Sequence, residues 1–327
     1  MKHTLLILAF LFKIQLSYAQ DVPNEYFDLV KIADSLYRIK DYKNSANKYS
    51  NAFKVNSWKG YSSDRYNAAC SWALASVPDS AFFQLDRIAT LMNYTNYNHI
   101  TNDTDLNSLH TDIRWEKLIE KIKQNKEKEE VNYNKPLVAI LDTIYIEDQK
   151  YRSQINDINK KYGWKSKEMN ALWDIISEKD SINLIKVKQI LDQYGWLGAD
   201  VVSDKGNTTL FLVIQHSDQA TQEKYLPMMR EAVKNGKAAG SSLALLEDRV
   251  ALGQGKRQIY GSQISRDPET QEYYISPLED PDNVDKRRSE VGLGPLSEYV
   301  NHWQIKWDVE QYKKDLPKLV EKDKHNK

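Results

Sequence analysis

The sequence contains one cysteine, Cys70, among 327 residues. A single cysteine excludes a disulfide within the chain, so a protein of this length has to be stabilised by burial of apolar side chains. An excess of one charge is also missing, because 46 lysine and arginine residues balance 46 aspartate and glutamate residues. Recognition of nucleic acid or of an anionic membrane surface depends on a clustered positive field. The charge balance therefore argues against both kinds of partner.

The first 19 residues have the pattern of a secretory signal peptide. Lys2 gives a positive start, residues 5–16 are mostly apolar, and small residues precede a cleavage position after Ala19. A membrane anchor is the competing interpretation, but Lys13 interrupts the apolar stretch, which is shorter than the roughly 20 residues that a spanning helix needs. No cysteine directly follows the stretch, so a lipoprotein anchor is excluded. We predict a periplasmic or secreted protein with no integral membrane segment once residues 1–19 are removed.

Glycine usage divides the chain, since Gly60 is the only one of 12 glycines that precedes Gly163. Residues 121–136 alternate in charge without an apolar stripe, which indicates a solvated linker or a frayed helix end. A chain of this length is expected to form two domains. We predict helical repeats with a capping helix over residues 20–120, a charged linker over 121–136, a mostly helical domain over 137–312 and a charged, frayed tail over 313–327.

A repeat of 36 residues in the first half is typical of paired helices. Small and apolar residues at helical spacing over residues 29–52 recur over residues 65–88, close to the roughly 34-residue period of a helix-turn-helix solenoid. The pattern resembles tetratricopeptide repeats over residues 22–92, with the segment up to residue 120 as the closing part. Ser45 stands where that family usually has alanine.

The resemblance implies a concave groove that is lined by the first helix of each pair. It places five residues on that side: Phe27, Asp34, Tyr37, Arg38 and Tyr66. Repeats of this kind commonly act by presenting a surface to another protein. We expect this half either to contact a protein or peptide partner or to serve as a spacer without a ligand.

Three acidic residues, Asp103, Asp105 and Asp112, lie just ahead of apolar helical positions. Aspartate is a favoured N-cap because its carboxylate accepts hydrogen bonds from the first amides of a helix. A metal site of His99, Asp103, Asp105 and His110 is the alternative, but this spacing matches no known metal-binding loop. We predict capping residues.

Two long apolar-periodic segments, residues 135–162 and 166–194, each end at a glycine and predict a helical hairpin. Asn183 lies on the apolar stripe of the second segment, where an unpaired amide costs about 1–3 kcal/mol. It either fixes helix packing through a hydrogen bond or reaches a binding site. Residues 258–265 and 272–278 predict two short strands around a turn at Asp267-Pro268. The predicted fold class is mainly α, with a short helical-repeat solenoid, a second mostly helical domain and a small β-hairpin.

Five consecutive apolar residues, 210–214, predict a buried helix that begins near Asn207 and ends at His216. His216 is either a packed core residue or a catalytic one. With Asp218 it offers two metal ligands, fewer than a catalytic zinc site requires. Residues 253–258 lack the glycine spacing and the hydroxyl residue of a phosphate-binding loop. We therefore predict no metal and no cofactor.

The next predicted helix carries Asp248 and Arg249 among apolar neighbours. Neither residue has an opposite charge three or four positions away on its own helix. Each therefore points to water or has a partner that is distant in sequence. A long-range structural ion pair and a ligand site are the two interpretations.

Three motifs in this order resemble a bacterial domain-of-unknown-function family numbered 6624: QHSD at 215–218, LEDRVALGQGKRQIYGSQ at 246–263 and VDKRRSEVGLGPL at 284–296. The resemblance covers residues 135–300 and implies no activity or substrate. Leu197 departs from the proline expected after the preceding Gly-Trp pair. The residues that match the family pattern are Asn183, Gln215, His216, Asp248, Arg249, Gln258, Tyr260, Gly261, Gln263, Arg287 and Arg288.

The function predicted first is that of a two-module binding protein, in which the repeat half contacts a protein partner and the second half holds a small anionic or polar ligand. The candidate ligand-binding residues are Asn183, Gln215, His216, Asp248, Arg249, Arg257, Gln258, Tyr260, Gln263, Arg287 and Arg288. The alternative is a metal-independent hydrolase or lyase with His216 as general base, Asp248 orienting it and Arg249 or Arg257 stabilising negative charge. A third interpretation is that these residues form a purely structural network.

Overall fold

The computed structural model describes residues 22–267 and 270–325. The described part is mainly α, with fifteen α-helices and one two-stranded antiparallel sheet, which confirms the predicted fold class. The chain separates into two compact units between Glu129 and Glu130. We call residues 22–129 the first unit and residues 130–325 the second unit. The predicted signal peptide lies outside the described residues.

The first unit consists of successive helical hairpins. Its helices are α1 (Asn24–Arg38), α2 (Tyr42–Val55), α3 (Ser62–Leu74), α4 (Pro78–Leu91), α5 (Tyr97–Asn102) and α6 (Ile113–Glu129). α1 packs on α2, α2 on α3, and α3 on α4. Fully buried alanines at the crossings, such as Ala33, Ala46 and Ala69, allow close approach of the helices. Ser45 is also fully buried, and its hydroxyl donates to the Ala33 carbonyl at 2.9 Å.

The segment expected to be a charged linker belongs largely to α6, which continues to Glu129. Leu118, Ile122 and Asn125 are buried on one face of this helix. The Asn125 amide donates to the carbonyl oxygens of Ala89 at 2.7 Å and of Tyr94 at 3.2 Å. A narrow apolar face at helical spacing, with Asn125 at its end, therefore holds an otherwise charged helix against the unit.

The second unit begins with six helices. They are α7 (Lys135–Arg152), α8 (Ile155–Tyr162), α9 (Lys167–Tyr194), α10 (Ala199–Gln215), α11 (Gln219–Lys234) and α12 (Gly240–Gly253). Ser166 caps α9 by accepting from the Met169 amide at 3.1 Å. α10 begins earlier than the predicted Asn207, with a break at Ser203, whose φ is 67°. Apolar residues of α7, α9, α10, α11 and α12 form the main core.

The small sheet pairs β1 (Ile264–Arg266) with β2 (Tyr273–Ile275) in antiparallel register. Three helices follow: α13 (Val284–Glu290), α14 (Leu296–Val300) and α15 (Val309–His325). α15 contains the tail that was expected to fray. The buried Tyr312 hydroxyl donates to the Ser276 carbonyl at 2.9 Å, and Leu316 and Leu319 pack on the same apolar cluster. Apolar residues four and three positions apart thus fix a segment whose composition is charged.

Within residues 22–267 and 270–325, no helix combines the length and the apolar composition needed to cross a membrane.

Candidate functional site

His216 caps the C-terminus of α10 and contacts a carboxylate of α7. Its Nδ1 lies 2.9 Å from Oδ1 of Asp148, whose side chain is only 1% exposed. Gln149 donates to the other Asp148 oxygen at 2.7 Å. The carboxylate that orients His216 is therefore Asp148 and not the predicted Asp248.

The charge state of Asp148 follows from its surroundings. Burial favours the neutral acid, but the hydrogen bond and the charge of His216, together with Arg152, outweigh burial, so the pKa of Asp148 lies below its ordinary value. An ionised carboxylate at Nδ1 favours the imidazole tautomer that carries its proton there. Nε2 of His216 is then the basic ring nitrogen.

A small cavity of about 240 Å³ lies beside this pair. Its lining includes Asp148, His216, Asp180, Ser181, Ser217 and Asp218. Arg152 donates to Oδ2 of Asp180 at 2.7 Å. Oδ1 of Asp180 is buried and has no hydrogen-bond partner among the described residues. The cavity is therefore lined by the imidazole of His216 and by the carboxylate residues Asp148, Asp180 and Asp218.

Ligand atoms of Asp148, Asp180 and His216 lie within 4.8 Å of one another, close enough to hold a metal ion. The sequence predicted no metal because it connected His216 only with Asp218. Asp148 and Asp180 come from two other helices and were missed. However, the guanidinium of Arg152 pairs with Asp180 and also lowers the pKa of Asp148 by its charge. This positive charge opposes the binding of a cation at the same carboxylates.

Asp218 caps the N-terminus of α11. Its carboxylate accepts from the Thr221 amide at 2.9 Å and from the Thr221 hydroxyl at 2.8 Å. These hydrogen bonds lower the pKa of Asp218. Asp218 therefore has a structural role as the N-cap of α11.

We expect Asp218→Ala to lower the free energy of unfolding by about 1 kcal/mol at pH 7, the usual effect of removing an N-cap. Because the folded-state pKa is lowered, the ionised cap stabilises fully above its unfolded pKa of about 3.9 and loses this contribution as pH falls through the folded pKa. Urea unfolding at pH 7 and pH 3 measures the difference. Asp218→Asn is the matched control, since asparagine also caps helices but does not titrate. A wild-type advantage over alanine that is unchanged at pH 3 contradicts this account.

Asp248 is fully buried and is bound by main-chain amides. Its carboxylate accepts from the N–H groups of Ile259 at 2.6 Å, Tyr260 at 3.0 Å and Ser262 at 2.9 Å. Burial raises the pKa of Asp248, while these amides oppose the shift. Gly261 has a φ of 68° in this turn, and a Cβ there would lie 3.0 Å from Leu296. Asp248 thus anchors the turn that wraps around it.

Three further predicted site residues also hold main chain in place. Gln258 is fully buried, with its amide donating to the Ser276 carbonyl at 2.8 Å and its oxygen accepting from the Gln263 amide at 2.8 Å. Arg288 donates to the carbonyls of Gly294 at 2.6 Å and Tyr260 at 2.7 Å. Arg287 donates to the carbonyls of Ile259, Glu279 and Asp280.

Two other predicted residues contribute less to a site. Tyr260 uses its amide for Asp248 and its carbonyl for Arg288, and its hydroxyl reaches Glu247 at 3.5 Å. Arg257 is exposed.

Asn183, Gln215 and Arg249 differ from these anchors because they keep buried polar atoms unpaired. Both amide atoms of Asn183, Oε1 of Gln215 and Nε of Arg249 have no hydrogen-bond partner among the described residues. The amides of Gln215 and Gln263 both reach the Leu245 carbonyl, each at 3.4 Å. Arg249 follows Leu245 by one turn of α12, and Asn183 follows Asp180 by one turn of α9. Gln215 directly precedes His216 in the chain, so the turn of α12 that Gln215 contacts and the His216–Asp148 pair are joined through the end of α10.

The first unit has its own cavity of about 480 Å³. Four of the five predicted groove residues line it: Asp34, Tyr37, Arg38 and Tyr66. The fifth, Phe27, is 41% exposed and packs against Tyr26.

Tyrosine hydroxyls bind the carboxylates of this cavity. Tyr66 donates to Asp103 at 2.8 Å, and Tyr37 donates to Asp105. Asp103 also accepts from the Asp105 amide at 3.0 Å, in agreement with its predicted capping role. Burial raises the pKa of the nearby Cys70 thiol, which disfavours the reactive thiolate form.

The sequence model of a family of unknown function (DUF6624) matches residues 136–310, more than half of the chain. The match contains every polar residue described above for the second unit, from Asp148 to Arg288. No curated protein and no solved structure matches this chain.

Proposed function

We propose that this chain, which belongs to the family of unknown function DUF6624, is an exported binding protein whose second unit holds a small polar ligand. The ligand site comprises Asn183, Gln215 and Arg249 together with the His216–Asp148 pair. The observation that carries the proposal is the set of buried polar atoms of Asn183, Gln215 and Arg249 that have no partner within the described residues.

The second unit contains two kinds of buried polar residue, those with all hydrogen bonds made and those with unpaired atoms. Leaving a buried donor or acceptor unpaired costs about 1–3 kcal/mol. Asp248, Gln258 and Arg288 avoid this cost, since each makes at least two hydrogen bonds to main chain. A purely structural network would pair Asn183 and Gln215 as well. A ligand site keeps polar groups unpaired for the ligand, and this lowers the stability of the ligand-free protein.

Asn183→Leu tests the proposal, because it removes an amide whose two polar atoms are unpaired. We expect the ligand-free variant to be more stable than the wild type by about 1–2 kcal/mol, since the desolvation cost of the amide disappears. Calorimetric unfolding measures the change. The matched control is Asn125→Leu in the first unit, where the amide is paired and the same substitution should destabilise.

The same variant separates binding from structure. A thermal-shift screen of the purified protein against sugars, peptidoglycan fragments, nucleotides, small carboxylates and divalent metals identifies compounds that stabilise the wild type. We expect Asn183→Leu to lose that stabilisation. If Asn183→Leu is instead as destabilising as Asn125→Leu, the amide has a structural role and the proposed ligand site is wrong.

A metal-independent hydrolase or lyase is the second candidate, favoured by the 2.9 Å contact between His216 and Asp148 beside an open cavity. In this proposal His216 acts as general base through Nε2, Asp148 orients the ring, and Arg249 stabilises developing negative charge. Replacing His216 by alanine should then abolish turnover of a bound ligand while leaving its binding largely intact. Equal turnover by wild type and variant would exclude the role of His216.

For the first unit we propose a tetratricopeptide-like docking module that takes a protein or peptide partner in its cavity. The carboxylates of Asp34, Asp103 and Asp105 line this cavity with Arg38 as the cation. A lysine-rich peptide should therefore bind more tightly than a glutamate-rich peptide of the same length in fluorescence anisotropy. Export is tested separately, since mass spectrometry of protein recovered from the producing cell should show cleavage after Ala19.

A further inference from the structure

We infer that the ligand of the second unit carries an oxyanion, a carboxylate or a phosphate group, and that Arg249 binds it. The inference rests on the proposed function and specifies the chemical class of the ligand. Arg249 is partly buried on α12, and its Nε is fully buried. Within the described residues, no hydrogen bond or ion pair satisfies this guanidinium.

Other arginines of the second unit have clear partners. Arg152 pairs with Asp180 at 2.7 Å, Arg230 with Glu247 at 2.8 Å, and Arg287 with Asp280 at 3.1 Å. Arg288 is buried but donates to two carbonyls. Arg249 therefore stands out among the partly or fully buried arginines of the second unit, because its buried Nε has no partner within the described residues.

The surroundings of Arg249 increase the need for an anion. Burial, followed by the like charge of Arg152, lowers the pKa of Arg249. Arginine does not lose its proton in proteins, so this cost is not relieved by deprotonation. The adjacent carboxylates are already used, since Asp248 accepts three amides and Glu247 pairs with Arg230. A bound oxyanion would supply the negative charge that no side chain of the described residues provides to Arg249.

The side-chain amide of Gln215 restricts the chemical class of the ligand further. A guanidinium fork matches the planar oxygens of a carboxylate or the oxygens of a phosphate. Gln215 approaches the same turn of α12, because its amide reaches the Leu245 carbonyl. Its unpaired Oε1 requires a hydrogen-bond donor. The ligand therefore combines an oxyanion with a nearby hydroxyl or amine, as in a hydroxy acid, an amino acid or a phosphorylated alcohol.

The test uses simple anions as probes in thermal unfolding of the purified protein. Inorganic phosphate, glycolate and glycine are compared with sodium chloride at equal ionic strength. At about ten times its dissociation constant, a bound probe should raise the melting temperature by roughly 3–6 °C. A shift with phosphate alone identifies a phosphate ligand, and a shift with glycolate or glycine alone identifies a carboxylate ligand.

Arg249→Met should abolish the shift and should not be less stable than the wild type without added anion, because it removes an uncompensated cation. Lys256→Met is the matched control, since this exposed cation lies in the segment after α12, and it should keep the shift. Absence of any shift in the wild type, or its persistence in Arg249→Met, overturns the inference. If Asn183→Leu is more stable than the wild type and no anion raises the melting temperature, the proposed ligand site is retained. Only the assignment of an oxyanion ligand is then rejected.

Discussion

Replacement of Asp248 by alanine is expected to destabilise the second unit by about 3–5 kcal/mol. A loss of this size is typical when a buried charged acceptor is removed and its hydrogen-bond donors stay buried. The three amides of Ile259, Tyr260 and Ser262 would lose their common acceptor inside the protein. For a unit of this size, such a loss corresponds to a fall in melting temperature of roughly 6–20 °C. Differential scanning calorimetry should show this in the transition of the second unit.

Two variants sharpen this prediction. Asp248→Asn keeps one carbonyl acceptor but turns an N–H group toward the remaining amides, so its effect should lie between wild type and alanine. Asp204→Ala removes an exposed aspartate of α10 in the same unit and should change the melting temperature little. A melting temperature for Asp248→Ala close to that of Asp204→Ala would show that the carboxylate is not an anchor and would return it to the list of catalytic candidates.

The elements of the fold were predictable because the signals that determine them are local. Periodicity of apolar residues over 166–194 marks α9, and Gly195 ends it with a φ of 70°. The hairpin was also located correctly, with Ile264 opposite Ile275. The C-terminal segment was not, because a charged composition concealed the spacing of Tyr312, Leu316 and Leu319 that attaches α15. Most residues of such a helix face solvent and dominate its composition, so the few apolar residues of its buried side are overlooked.

The sequence drew attention to polar residues of the second unit but did not reveal which groups they contact. His216 and Asp148 are separated by 68 residues, so no local pattern connects them. A usable signal was the position of Asp148 on α7, where it follows the buried Leu141 and Ile144 by seven and four residues. For Asp248, the lack of an opposite charge on α12 correctly indicated a distant partner. The partners are main-chain N–H groups. Every residue other than proline carries one, so no pattern of side chains in the sequence reveals which of them bind Asp248.

The candidate site residues of the second unit fall into two groups with different consequences for mutation. Asp248, Gln258 and Arg288 are buried with their hydrogen bonds made, so their loss should reduce stability first. Asn183 and Gln215 are buried with polar atoms unpaired, so their loss should reduce binding first. The candidate residues therefore include both the anchors of the 258–263 segment and the groups that we propose for ligand binding.

Arg288→Met is expected to destabilise the second unit by about 2–4 kcal/mol, because two buried carbonyl oxygens lose charge-assisted donors. Arg288 is 2% exposed, and it donates to Gly294 and Tyr260 while its guanidinium lies 5.0 Å from the centre of the Tyr299 ring. Methionine fills a similar volume but donates nothing, so the carbonyls remain unpaired. Calorimetry should record a melting temperature lower by roughly 4–16 °C.

The matched control is Lys286→Met on the same helix, α13, where the side chain is exposed and its removal should have little effect. The comparison also separates the two arginine sites of the second unit. Methionine at position 288 removes a paired cation and should destabilise, whereas methionine at position 249 removes an unpaired one and should not. Equal loss of stability in both variants would mean that Arg249 has a protein partner in solution, and the charge argument for an oxyanion ligand would then fail.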